Sequence, residues 1–301
     1  TMALKYALIL GLLCLSLTSP PANAQERAVL RGSEVIIVFD GVLEDWAKTI
    51  LRAYDDMRAN VEGTLGWRLK SQPTLFLVAS PEDFRQMSGS PFISAFAVPQ
   101  RQMIVMLAPR PFPSAYVWKE TLEHELCHLV LHDHIRSDLL PRWFDEGVCQ
   151  WVSGSLGEIL AGGWESSYPA AELLNRSIPL SRLVDTFPAD RGALLLAYRE
   201  SREFVEYLVT RYQRQGLLTL LNRLREGEIL EYAVQSSLAL PLHAIESQWR
   251  EQRGKGSIWL VWFSRNLYEI LFFLSALLAV GAFVRLWLKK RRYPDEGDPL
   301  E

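Results

Sequence analysis

Cysteine is scarce in this chain, with three among 301 residues. Cys14 falls in an apolar leader, so a processed chain keeps only Cys127 and Cys149. That excludes a disulfide-dense framework. It leaves either one bridge between the segments carrying these two residues, or two small buried thiols. An excess of basic charge is lacking too. Thirty-two Lys and Arg stand against 35 Asp and Glu, a net charge of -3, which gives no reason to expect a nucleic-acid partner. No internal repeat or low-complexity segment is present, and no methionine follows Met106. Histidine is also sparse, at five residues, yet four of them lie between His124 and His134.

Long apolar runs are present at both ends. Lys5, the stretch Tyr6 to Thr18 and the small-x-small sequence Ala22-Asn23-Ala24 form the three regions of an export signal, expected at 1–24 with cleavage after Ala24. Near the other end, Leu267 to Leu288 is long enough as a helix to cross a bilayer core at about 1.5 Å per residue. Its two charges, Glu269 and Arg285, sit near its ends, where long side chains reach the interface. Trp259, Trp262 and Tyr268 precede or open it, and Trp287 closes it, as aromatic belts do. Lys289-Lys290-Arg291-Arg292 then favours a cytoplasmic tail at 289–301. The expected layout is a domain at 25–256 outside the cytoplasm, one membrane span at 267–288, and a basic inner tail. Oligomeric state is not legible.

The domain between these ends reads as α+β, with a small mixed sheet and helices first and a helical part after. Glu34 to Phe39 and Thr74 to Val78 are short β-branched or aromatic runs bounded by turn residues. Between them Leu43, Trp46, Ala47, Ile50, Leu51, Tyr54, Met57 and Val61 recur at helical spacing, ended by Gly63 and Gly66. Ser80-Pro81 signals a helix start, and 94–98 with 101–107 a hairpin across Pro99-Gln100. After the proline-rich run 109–113, a helix is expected from Ser114 to about His132. Another follows Pro141, with long helices near 190–212 and 217–225 and a last one from Pro241 to about Arg253.

The first of these helices carries His124-Glu125-Leu126-Cys127-His128. Positions i and i+4 lie one above the other on a helix, so both imidazoles leave one face at a spacing that can grip one metal ion, with Glu125 beside them as a general base. A catalytic zinc site needs a third protein ligand. His134 has the spacing that metzincins use, but the glycine they place at the helix break is Leu131 here, and the methionine turn is missing. Glu146, in Pro141-Arg142-Trp143-Phe144-Asp145-Glu146-Gly147, is the other candidate, since a carboxylate on a second helix can approach the ion from the side. Asp145 is an alternative to it. His132 and His134 are expected at the exposed end of the motif helix, complementing its dipole.

The paired motifs resemble the gluzincin clan, the relatives of thermolysin and aminopeptidase N, and most closely the peptidase MA-like family. The resemblance runs from Ser33 to about Arg253. It implies a hydrolase in which His124, His128 and Glu146 hold Zn²⁺ and Glu125 takes the proton of the attacking water and passes it to the leaving amine. The clan often stabilises the oxyanion with a tyrosine or histidine from a later helix, which points to Tyr198. The other role open to it is packing between helices. Thermolysin-type enzymes place an aspartate four residues after the ligand glutamate, where this chain has Gln150. The Gly-x-Met-Glu-Asn signature of the aminopeptidases is lacking from 96–107. The expectation is therefore a membrane-tethered zinc metallopeptidase, an endopeptidase before an aminopeptidase, acting on a peptide or protein. The rival is a non-catalytic binding or scaffold domain of the same fold.

Overall fold

The computed structural model describes residues 27–108, 117–154 and 177–292. The expected leader at 1–24, the run 109–113, the helix start at Ser114 and the tail beyond Arg292 lie outside the described residues.

Five strands form one mixed sheet: β1 Arg27–Arg31, β2 Ile36–Asp40, β3 Thr74–Val78, β4 Ala95–Val98 and β5 Met103–Leu107, in the order β1-β2-β3-β5-β4. β2, β3 and β5 are parallel, and β1 and β4 add antiparallel edges. The parallel step from β2 to β3 needs a crossover, which helix α1 (Glu44–Leu65) supplies. In register, Ile37, Leu75 and Ile104 lie side by side, and Phe39, Leu77 and Met106 repeat the row two residues on. All six are buried, because alternate residues of a strand share a face. α1 lies against β1 and β2, and helix α3 (Val117–His134) against β4 and β5. Helix α2 (Pro81–Ser88) brings Phe84 onto a second cluster with Val78 and Val105.

Local chemistry explains the element ends. α1 buries Trp46, Ala47, Ile50, Tyr54, Met57, Val61 and Leu65 along one stripe. It runs through Gly63 and stops at Gly66, whose φ of 75° lets its N–H return to Glu62 O. Ser80 caps α2 by accepting from the Asp83 N–H at 3.2 Å. The expected hairpin turn is longer than its sequence suggests. Pro99–Arg101 makes a 3₁₀ turn and Gln102 takes φ 48°, so β5 begins at Met103. β1 had no counterpart in the sequence reading.

The helical part continues with α4 (Arg142–Ser153), α5 (Arg191–Arg225) and α6 (Leu230–Leu238). α5 unites two expected helices across Gln213, which sits outside helical geometry at φ 62°, ψ 166°. Arg214, the next residue, donates to the Gly63 and Thr64 carbonyls at the end of α1. These carbonyls have no partner within their helix, so a guanidinium there is favourable.

Among the described residues, those up to Pro241 belong to one compact unit and those from Leu242 to a second. The second contains α7 (Leu242–Arg265), which runs past its expected end near Arg253, and α8 (Leu267–Arg292). Within α8, the 23 residues Leu267–Lys289 have no buried side chain and are long and apolar enough to cross a membrane.

Candidate metal centre

Helix α3 is apolar on nearly every side. Trp118, Leu122, Leu126, Leu129, Val130 and Leu131 are all buried, so the helix sits inside the fold and takes His124 and Glu125 with it. His128 is 8% exposed and Glu125 fully buried. Trp46 of α1 meets Trp118 edge-on at 5.8 Å and fixes the start of the helix.

α4 is placed by three contacts. Its first N–H groups, at Arg142 and Trp143, donate to Val184 O and Leu183 O at 2.7 and 3.1 Å, which satisfies donors that a helix start leaves open. Trp143 packs edge-on against Phe204 of α5 at 5.4 Å. Gly147 faces the Ser201 carbonyl so closely that a β-carbon would overlap it and come within 2.8 Å of Val205 Cγ2. A glycine is therefore what allows α4 to settle on α5, and Glu146 is its neighbour.

The two helices bring three ligand atoms together. His124 Nε2 and His128 Nε2 are 3.1 Å apart, and Glu146 Oε2 lies 3.3 and 3.6 Å from them. A tetrahedron with bonds of about 2.0–2.1 Å has edges of about 3.3 Å, so these separations fit three corners around one zinc-sized ion. The donor set agrees. Asp145 Oδ1 lies 2.8 Å from His128 Nδ1, which places the ring proton there and leaves the Nε2 lone pair towards His124 and Glu146. Two imidazole nitrogens and a carboxylate oxygen facing one another need a positive charge between them, either a metal ion or, in its place, a proton on one of the rings.

Electrostatics follow from the same contacts. Burial opposes a charged His128, but Asp145 and then Glu146 outweigh it and hold its pKa well above the usual histidine value. Burial alone would raise the acids. His128 and His132 instead hold Asp145 far below the carboxylate range, and His124 and His128 do the same for Glu146.

Asp145 is not among the three converging atoms. It bridges two histidines, with its Oδ2 2.9 Å from His132 Nε2, whose Nδ1 is 3.1 Å from Ser137 Oγ. His132 is thus half-buried and partnered rather than solvated. His134 is turned elsewhere, 2.8 Å from Arg68 O and stacked near Trp67 at 5.1 Å. Cys127 and Cys149 are both free and buried. Cys149 Sγ lies 3.5 Å from His128 Nδ1, and burial followed by the Cys127 thiol pushes its pKa up. Gln150 is buried, but its amide makes no hydrogen bond to a histidine among the described residues, and His124 Nδ1 likewise lacks a partner there.

A cavity of about 310 Å³ opens on this cluster, lined by Glu125, His128, Glu146 and Tyr198, with Ile93 from the segment leading into β4 and Phe96 from β4 itself. Tyr198 packs edge-on against Phe187 at 4.9 Å. The Asp145 to His132 bridge and the placing of Arg142 and Phe187 beside Tyr198 were missed from sequence. The only signal for the first was a histidine one turn beyond His128. A larger cavity, about 690 Å³, lies over Val38, Phe76 and Val105 of the sheet and contains none of these residues.

A family model described as the peptidase MA superfamily matches residues 100–253, more than half the chain, and covers α3, α4 and α5. No curated protein matches.

Proposed function

The chain belongs to the peptidase MA superfamily, and from that premise we propose that it is a zinc-dependent metallopeptidase held to a membrane by one C-terminal span. The observation that carries the reading is the convergence of His124, His128 and Glu146 at separations of 3.1 to 3.6 Å, beside a cavity that Glu125 also lines. These three residues would hold Zn²⁺. Bound there, Zn²⁺ supplies Lewis acidity, which polarises a peptide carbonyl and makes water a nucleophile near neutral pH.

The protein's own residues do the rest. Glu125 accepts the proton of the attacking water and delivers it to the leaving amine. The Tyr198 hydroxyl donates to the developing oxyanion. Asp145 fixes the tautomer and orientation of His128. Residues 25–256 would work outside the cytoplasm, with 267–288 as the span and 289–301 inside. Ile93 and Phe96 in the cavity wall suit a peptide side chain that is apolar.

The test is zinc content and peptide cleavage by the full chain in detergent, beside Glu125→Gln. Removing the general base should lower turnover about 10²- to 10⁴-fold while zinc stays bound. Equal turnover in both proteins would refute the assignment. Full zinc occupancy with no cleavage of a broad peptide library would instead favour a binding or scaffold role.

A further inference from the structure

We propose that His132 is a positioning residue that decides which of two adjacent carboxylates serves as the metal ligand; the inference rests on the metal site of the reading above. His124, His128 and His132 follow one another at intervals of four on α3, so their rings stand in a row along one face. Asp145 and Glu146, neighbours on α4, meet that row from the other side. Glu146 Oε2 lies 3.3 and 3.6 Å from the Nε2 atoms of His124 and His128. Asp145 fills the next gap, with Oδ1 2.8 Å from His128 Nδ1 and Oδ2 2.9 Å from His132 Nε2. Two acids thus alternate with three imidazoles.

The two gaps differ in what they offer. An ionised carboxylate only accepts, so each ring nitrogen that faces Asp145 carries a proton. Both oxygens of Asp145 are thereby engaged by N–H donors. With its proton on Nδ1, His128 keeps Nε2 for a cation. Cys149 Sγ stands 3.5 Å from the same Nδ1 and 3.9 Å from Asp145 Oδ1, but sulfur is a weak acceptor and the carboxylate is nearer.

His132 is what engages the second oxygen of Asp145. Released from it, that carboxylate has an uncommitted oxygen one residue from Glu146, and carboxylate oxygens compete for zinc on equal terms. The His132 ring is itself fixed from its far side. Ser137 Oγ, in the 3₁₀ turn that follows α3, lies 3.1 Å from Nδ1. The His132 and Asp145 side chains are only 16% and 14% exposed, so their contact is shielded from most of the water that weakens a surface pair.

The experiment measures zinc affinity of the full chain in detergent, by competition with a chromogenic chelator, for wild type, His132→Leu, His132→Gln and His132→Asn. Glutamine puts an N–H donor where ring Nε2 stood. Asparagine puts one near Nδ1, within reach of Ser137 but not of Asp145. His132→Leu and His132→Asn should each weaken binding about tenfold, the lower end of what orienting partners of a ligand histidine contribute. His132→Gln should keep most of the affinity. Co²⁺ in place of zinc reports ligand geometry through its visible absorption, which should change in the Leu and Asn variants and match wild type in the Gln variant. The melting temperature of each metal-free protein checks the fold; loss of packing alone lowers it without separating Gln from Asn.

His132→Leu is also combined with Asp145→Ala. Because His132 acts through Asp145, it should cost no further affinity in that background. Equal affinity and spectrum in wild type and His132→Leu, equal behaviour of the Gln and Asn variants, or losses that add in the double variant overturn the assignment. If His132→Leu does not fold, the contrast between Gln and Asn decides. Wild type that binds neither metal ion overturns the assignment together with the site it rests on. The expected ranking of affinities with no cleavage of any peptide leaves the His132 assignment standing while the peptidase reading fails.

Discussion

Asp145 accepts a hydrogen bond from His128 Nδ1 at 2.8 Å, through the ring nitrogen that does not face Glu146. The contact sets which nitrogen of His128 is available to a cation and how the ring is turned. Groups that orient a ligand histidine in this way typically change metal affinity by about 10- to 100-fold when removed. Asp145→Ala should therefore weaken zinc binding by that factor, measured by competition with a chromogenic chelator. Unchanged affinity would mean that α3 alone holds the ring in place.

The three proposed ligands come from two helices, so an ion they shared would also tie α3 to α4. Binding to the folded state adds stability of about 4 kcal/mol when free metal exceeds its dissociation constant a thousandfold. A chelator should lower the melting temperature, and added zinc should restore it. His128→Ala should abolish the response. Thermal shift in detergent distinguishes these outcomes.

Gly147 sets how closely α4 approaches α5. Gly147→Ala forces a methyl against the Ser201 carbonyl and Val205. Overpacking of this kind costs about 1–3 kcal/mol. The melting temperature should fall, and zinc affinity should fall with it because Glu146 is the adjacent residue. A variant that melts like wild type would show that the two helices separate freely.

Tyr198→Phe separates a catalytic hydroxyl from a packing ring. The ring contact with Phe187 survives the change, so stability should hold. Losing an oxyanion donor costs about 10²- to 10³-fold in kcat with little change in KM. A lowered melting temperature with intact kcat would assign the residue to packing.

What could be read from the sequence depended on how far each signal reaches along the chain. β3 lies at 74–78 as expected, because a short β-branched and aromatic run between turn residues is a local pattern. The spacing of His124 and His128 is equally local, since both ride one helix. That Glu146 meets them depended on a second helix and on family resemblance, not on spacing alone. The clasp between Asp145 and His132 depends on how residues 135–141 return the chain, which no window of sequence encodes. β1 was missed for a related reason. Arg27–Arg31 is short and charged at both ends, and it becomes a strand by pairing with β2 at the sheet edge. The union of two helices at Gln213 follows from Arg214 anchoring on the end of α1, again a tertiary cause.

In α8, no residue of the stretch from Leu267 to Lys289 is buried among the described residues. Its identity is then a matter of length and oiliness, and not of sequence detail. Exchange for an unrelated apolar helix of equal length should leave the folded head unaltered, and the tether becomes a replaceable part.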